Sequence, residues 1–209
     1  MSVTIQNIGP AEIEAESFRM IEAELGPHDF NAATFTIVRR VIHATGDFTF
    51  ADNLRFAEDA IDHGIAMLRQ GRNILTDVNM VATAISKNLL PRQNKVICTI
   101  AEDRVRQAAA ASNATRAETA MELGMENDIG IVAIGNAPTA LLKIMSMLKT
   151  GWVGPQPLII GVPVGFVNAA ESKELLSTTE LPFITSLGRK GGSPVAASIV
   201  NALIRLAAE

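Results

Sequence analysis

A chain of 209 residues, 48% hydrophobic and 19% charged, has the make-up of one globular domain large enough to bury a full core. Its net charge of -4 argues against the broad basic face that nucleic-acid binding needs, although a few Arg and Lys can still converge on an anionic small molecule. A single cysteine, Cys98, rules out an intrachain disulfide and suits a reducing compartment. The first residues show no basic start followed by an apolar run, and no apolar stretch approaches the roughly 20 residues that span a bilayer. A cytoplasmic protein without a membrane or nucleic-acid partner is therefore expected.

In chain order, the first third reads as helix. Ile13, Phe18, Met20, Ile21 and Leu25 form one stripe over 10–25, stopped by Gly26 and Pro27. A second helix starts near Asn31, buries Phe35, Val38, Val41 and Ile42, and ends at His43–Gly46 with Gly46 as the stop. Residues 47–54 read as a loop or irregular turn. A third helix is expected over 55–70, with Phe56, Ala60, Ile61, Ile65 and Leu68 inward and Gly71 closing it.

The rest alternates short apolar runs with helical patterns. Strands are expected at Asn73–Thr76, Lys95–Thr99, Gly130–Ile134, Pro157–Gly161 and Pro182–Thr185. Helices are expected near 77–87, 101–123, 136–149, 168–177 and 194–208. Five Ile- and Val-rich runs, each followed by a helix, predict a parallel sheet covered on both faces. The whole of 1–209 reads as one domain, with a helical part over about 1–71 and a sheet part over about 72–209.

In such folds ligands bind outside the carboxyl ends of the strands. The turns there are conspicuous. Gly135-Asn136-Ala137-Pro138-Thr139 offers a glycine, a cap in Asn136 and a first-turn proline, and its amides favour an anion; a plain capped helix start fits equally well. Gly188-Arg189-Lys190-Gly191-Gly192-Ser193 adds two positive charges and a cap in Ser193, and it reads more readily as an anion site than as a bare turn. It matches neither the Walker pattern nor the dinucleotide fingerprint nor a nucleophile elbow. Gly161–Val167 is poor in polar groups and suits a tight wall against something flat, or simply a rigid turn.

Arg40 and His43 are three residues apart on the second helix and so share a face. A histidine at a helix end is most often a cap or a surface residue. The three histidines have no ligand spacing and Cys98 has no cysteine partner, so a zinc site is not expected.

Taken together these segments resemble the precorrin-8X (cobalt-precorrin-8) methylmutase family. The resemblance rests on Val41–Gly46, Ile74–Asp77, Val96–Cys98, Val132–Leu141, Gly161–Val167, Ala169–Lys173, Gly188–Ser193 and Asn201–Leu203, in the family's order through nearly the whole chain. It implies a flavodoxin-like three-layer fold, here with a five-stranded parallel sheet and additional N-terminal helices. It implies a homodimer with pockets near the subunit interface, and no redox or metal cofactor. It further implies a 1,5-sigmatropic methyl shift from C-11 to C-12 of a tetrapyrrole in vitamin B12 formation, with His43 in the catalytic position.

A ring fringed with acetates and propionates calls for Arg, Lys, hydroxyls and amide donors. Arg40, Arg116, Arg189, Lys190 and Lys173 are the cationic candidates. Ser17, Thr45, Ser86, Asn136, Thr139 and Ser193 are the neutral ones, and Ser17 and Arg116 stand where the family contacts its ligand. Ala137, Gly165, Gly191 and Gly192 lie in the same turns, and Asp77 lies in the Thr76-Asp77 turn at another strand end. Met80, Val81, Val164 and Phe166 are candidate apolar walls. Two other readings compete: a carrier that holds a corrinoid without chemistry, and a nucleotide-dependent α/β enzyme.

Overall fold

The computed structural model describes residues 8–9, 12–150 and 152–209. Its sheet has six strands: β1 (Leu54–Phe56), β2 (Asn73–Thr76), β3 (Val96–Ile97), β4 (Ile129–Ile134), β5 (Leu158–Gly161) and β6 (Phe183–Ser186). They lie in the order β1-β6-β5-β4-β2-β3. The last five are the runs expected from the sequence, and they pair in parallel. Chain order along them reverses between β2 and β4, which makes the crevice at that point a natural ligand position.

The sixth strand corrects the sequence expectation of five. β1 pairs antiparallel with β6, setting Leu54 opposite Ser186 and Phe56 opposite Ile184. It lies where a turn and the start of a helix were expected. Three residues are too few to show alternation, and Phe56 happens to fall on the helical stripe that follows. Asp59, in the left-handed region at φ 58°, separates the strand from the real helix.

Ten helices are present among the described residues: α1 (Ile13–Leu25), α2 (Ala32–Thr45), α3 (Thr49–Asn53), α4 (Ala60–Arg69), α5 (Asn79–Ala84), α6 (Asp103–Ser112), α7 (Arg116–Gly124), α8 (Pro138–Lys149), α9 (Ala169–Ser177) and α10 (Ser193–Ala208). Positions 10 and 11 of the first expected helix fall outside the described residues. The Asn31 side chain caps α2 by accepting from the Thr34 N–H at 2.8 Å, and Gly46 closes it in the left-handed conformation. The single helix expected over 101–123 is two. Asn113 turns left-handed at φ 55°, and Thr115 and Glu118 form a reciprocal capping box that starts α7.

Alternation along the strands builds two cores. Ile131 and Ala133 of β4 and Leu158 and Ile160 of β5 face α2, α4, α5 and α10. Val132, Ile134 and Ile159 face the other way, toward α7, α8 and α9. Helix α10 packs on β4 and β5 and also on α2, α4 and α5. That explains why it is buried nearly all round, from Val195 to Ala207. Among the described residues, no helix is long and apolar enough to cross a membrane.

Candidate ligand site at the strand ends

The end of β2 delivers Asp77, fully buried, into the crevice beside β4. Its Oδ1 accepts the Gly135 N–H at 3.1 Å, and its Oδ2 accepts those of Asn136 and Ala137 at 2.8 Å each. The turn, which from its sequence suits an anion and a plain capped helix start equally, thus has its amides filled by the protein's own carboxylate. Burial pushes the Asp77 carboxyl up from its ordinary range, and the three amides pull it back only in part. The expected cap from Asn136 is not made: the N-cap is Ala137, without a side-chain bond. The turn's donors already belong to Asp77, and Asn136 stands exposed.

Two glycines let the β4–α8, β5–α9 and β6–α10 turns interlock. A Cβ on Gly135 would lie 2.8 Å from the Ser193 Cα, and one on Gly191 would lie 2.2 Å from the Val162 oxygen. The Gly192 N–H donates to that same oxygen at 2.9 Å, and the Gly165 N–H to the Arg189 oxygen at 3.2 Å. Ser193 was expected to cap α10. It is instead its first residue, buried, with Gly192 at the cap.

Lys173 of α9 lies beneath these turns. It is fully buried, and its ammonium donates to the Lys190 carbonyl at 2.5 Å. Burial lowers its pKa to about 8. The Ser186 hydroxyl reaches the same carbonyl at 3.1 Å. Above the turns stand Val164, Phe166 and Val167, with Phe166 83% exposed and the Arg189 guanidinium 5.4 Å from its ring centre. Thr139 in the first turn of α8 has its hydroxyl 3.2 Å from that of Thr115, which sets it beside the exposed Arg116.

A second group forms on the N-terminal helices. His43, in the last turn of α2, is exposed and stands edge-on to the Phe18 ring of α1, with centroids 5.4 Å apart. The guanidinium carbons of Arg39 and Arg40 lie 4.2 and 5.2 Å from the same ring. Arg39 pairs with Glu22, and Arg40 with Glu14 at 3.0 Å. Burial and the nearby Arg205 lower the Arg40 pKa, but a guanidinium keeps its charge. Ser17 donates its hydroxyl to the Ile13 carbonyl, and Thr45 donates to that of Val41.

On α5, Met80 is exposed, but Val81 is fully buried in the core. That corrects Val81 as a wall residue: only one side of this short helix faces outward. Ser86 gives its backbone N–H to the Asn201 side chain of α10 at 2.8 Å. The two groups meet through Lys190, whose ammonium touches Asp47 at 2.6 Å and Thr49 at 3.0 Å. Asp47 is four residues beyond His43, so at most ~15 Å of chain separates them.

A family model for precorrin-8X methylmutase matches residues 12–206. The chain belongs to the precorrin-8X methylmutase family. It is 44% identical over 202 residues to the cobalt-precorrin-8 methylmutase of Priestia megaterium, covering 96% of this chain and 89% of that one. It is 44% identical over 195 residues to the precorrin-8X methylmutase of Pseudomonas aeruginosa, covering 91% and 93%. A solved precorrin-8X methylmutase from Thermus thermophilus superposes with a TM-score of 0.85 at 39% identity, over 95% of this chain and 96% of that one.

Four residues outside the candidate set hold it in place: Phe18, which the sequence shows only as part of the apolar stripe of the first helix, and Glu14, Asp47 and Thr115. Only the Thr115–Glu118 capping spacing was there to be read. Clefts of about 600 and 800 Å³ open at the amino ends of β5 and β6 and between α8 and α9, sharing Gln156 and Glu180; no candidate site residue lines them. A cleft of about 400 Å³ between α6 and α7 takes in Arg116.

Proposed function

We propose that this chain is an isomerase of cobalamin biosynthesis. Its substrate is precorrin-8X or the cobalt counterpart, and its product hydrogenobyrinic or cobyrinic acid. In this reading a methyl group leaves C-11 and bonds to C-12 within the conjugated ring, so atoms balance without a second substrate. No nucleophile is needed. What is needed is a grip on the carboxylate fringe, an apolar face for the ring, and an acid that lends the macrocycle a proton. His43 is that acid.

One observation carries the reading: the family match runs from 12 to 206 and includes an exposed His43 on the same helix face as Arg40. Arg40, Arg116, Arg189 and Lys190 supply charge for the carboxylates. Ser86, Asn136 and Thr139 supply neutral donors, and Ser17 and Thr45 join them when their hydroxyls turn from the Ile13 and Val41 carbonyls to the ligand. Val164, Phe166 and Met80 offer apolar surface, all of them exposed. Asp77, Lys173 and Ser193 are buried and serve as supports.

We read the fold as flavodoxin-like, on the strand order β3-β2-β4-β5-β6, and the chain as one domain. We also read the protein as a homodimer with the pocket near its interface. Support comes from the open strand-end surface and from the exposed side chains of Val164, Phe166 and Val167, which make an unusual apolar patch.

The test is incubation with the tetrapyrrole while its absorption spectrum is followed. The expected result is conversion to the product chromophore. An unchanged chromophore despite binding would make the protein a carrier.

A further inference from the structure

The switch-point crevice of this fold is where a bound anion would ordinarily meet free amide donors. Here Gly135, Asn136 and Ala137 direct three N–H groups at Asp77, which is fully buried and accepts all three at 2.8–3.1 Å. Nothing in the methyl shift uses this carboxylate. Its bonds do fix the backbone from which Asn136 is displayed and on which Thr139 stands three residues later. The same turn is pressed against the start of α10 at Gly135 and Ser193.

We propose that Asp77 is a positioning residue that acts as a built-in ligand anion. It holds the β4–α8 turn in the shape that receives a substrate carboxylate, and it closes the crevice to phosphate. This rests on the substrate class proposed above only for its first half. The closure to free anions stands on the geometry alone.

The test uses the intact protein and small anions. Asp77→Ala removes the carboxylate and leaves a formate-sized space beneath three amide donors. Sodium formate should raise the Tm of Asp77→Ala saturably above the effect of sodium chloride at equal ionic strength, inorganic phosphate should do so less, and neither should move the native protein. An equal formate response in both proteins overturns the proposal.

Asp77→Asn keeps the volume and provides a second arm if the alanine variant does not fold. Its KM for the tetrapyrrole should rise about tenfold with kcat within about threefold of native, the pattern of a lost positioning contact. An unchanged KM overturns the positioning role. The formate result needs no turnover, so its failure is distinguishable from failure of the methylmutase reading.

Discussion

The Lys190 ammonium meets the Asp47 carboxylate at 2.6 Å and so joins the β6–α10 turn to the loop that leaves α2. It is a direct side-chain link between the strand-end turns and the loop after the helix that carries His43, beside the backbone bond from the Leu187 N–H to the Asn53 carbonyl at 2.8 Å. Lys190 and Thr49 hold the Asp47 carboxyl down at about 2. For a depressed carboxyl the stabilising contribution is present above the unfolded value near 3.8 and is lost as pH falls through about 2. The pair is therefore intact across the neutral range.

Asp47→Asn should cost less than about 1 kcal/mol in urea unfolding, because the pair is partly exposed. KM should nevertheless rise several-fold, since two groups of binding residues lose the charged part of their tie. The rise should be the same from pH 5 to pH 8. A KM equal to native would show that the pair merely decorates the surface.

His43→Ala should lower kcat by about 100-fold or more, the usual worth of a positioned proton donor. Affinity for the product should stay within a few-fold of native, because the Arg and amide contacts remain. Absorption kinetics and equilibrium titration with the product separate the two effects. Native turnover in this variant would take the acid role from His43.

The sequence announced the five parallel strands because each is an apolar run bounded by a turn; four keep their ends to within one residue, whereas the run expected over Lys95–Thr99 is a strand only at Val96–Ile97. β1 escaped it because its three residues, Leu54–Phe56, carry no period and depend on β6 for their structure. The turns were legible as backbone that favours an anion. Which anion was not, since Asp77 stands 58 residues before Gly135 and only the sheet brings them together. Lys173 posed the same difficulty. Its place beneath Lys190 depends on how α9 packs under the β6–α10 turn, so in the sequence it reads as a cation offered to the ligand and not as a buried support. Val81 read as a wall because periodicity shows that a residue faces something, not whether that is core or ligand.

Lys173 supports a stability prediction with a sign. Its folded pKa of about 8 lies below the ordinary 10.5. The unfolded chain therefore binds more protons between those values, and native stability should rise as pH climbs from about 8 to 10.5. A shift of this size in a fully buried group corresponds to about 3 kcal/mol. Lys173→Met should lose the rise while staying within about 1 kcal/mol of native at pH 7. Its KM should increase, since the Lys190 carbonyl is released. Denaturant midpoints from pH 7 to 10.5 are the check; parallel profiles for both proteins would place the titration elsewhere.

Gly135→Ala tests whether the turns work as one body. The added methyl would meet the Ser193 Cα at 2.8 Å and its nitrogen at 2.9 Å, both backbone atoms that cannot rotate aside. Gly64→Ala is the matched control. Its methyl would meet Leu158 Cδ2 at 2.6 Å and Leu203 at 3.3 Å, side-chain ends within the core beneath α10. Each substitution should cost about 1–3 kcal/mol as overpacking. Only Gly135→Ala should also raise KM, because it pushes the β4–α8 turn away from the β6–α10 turn and separates Asn136 from Arg189 and Lys190. If both variants lose stability and neither changes KM, the two turns bind independently and the close approach at Gly135 serves packing alone.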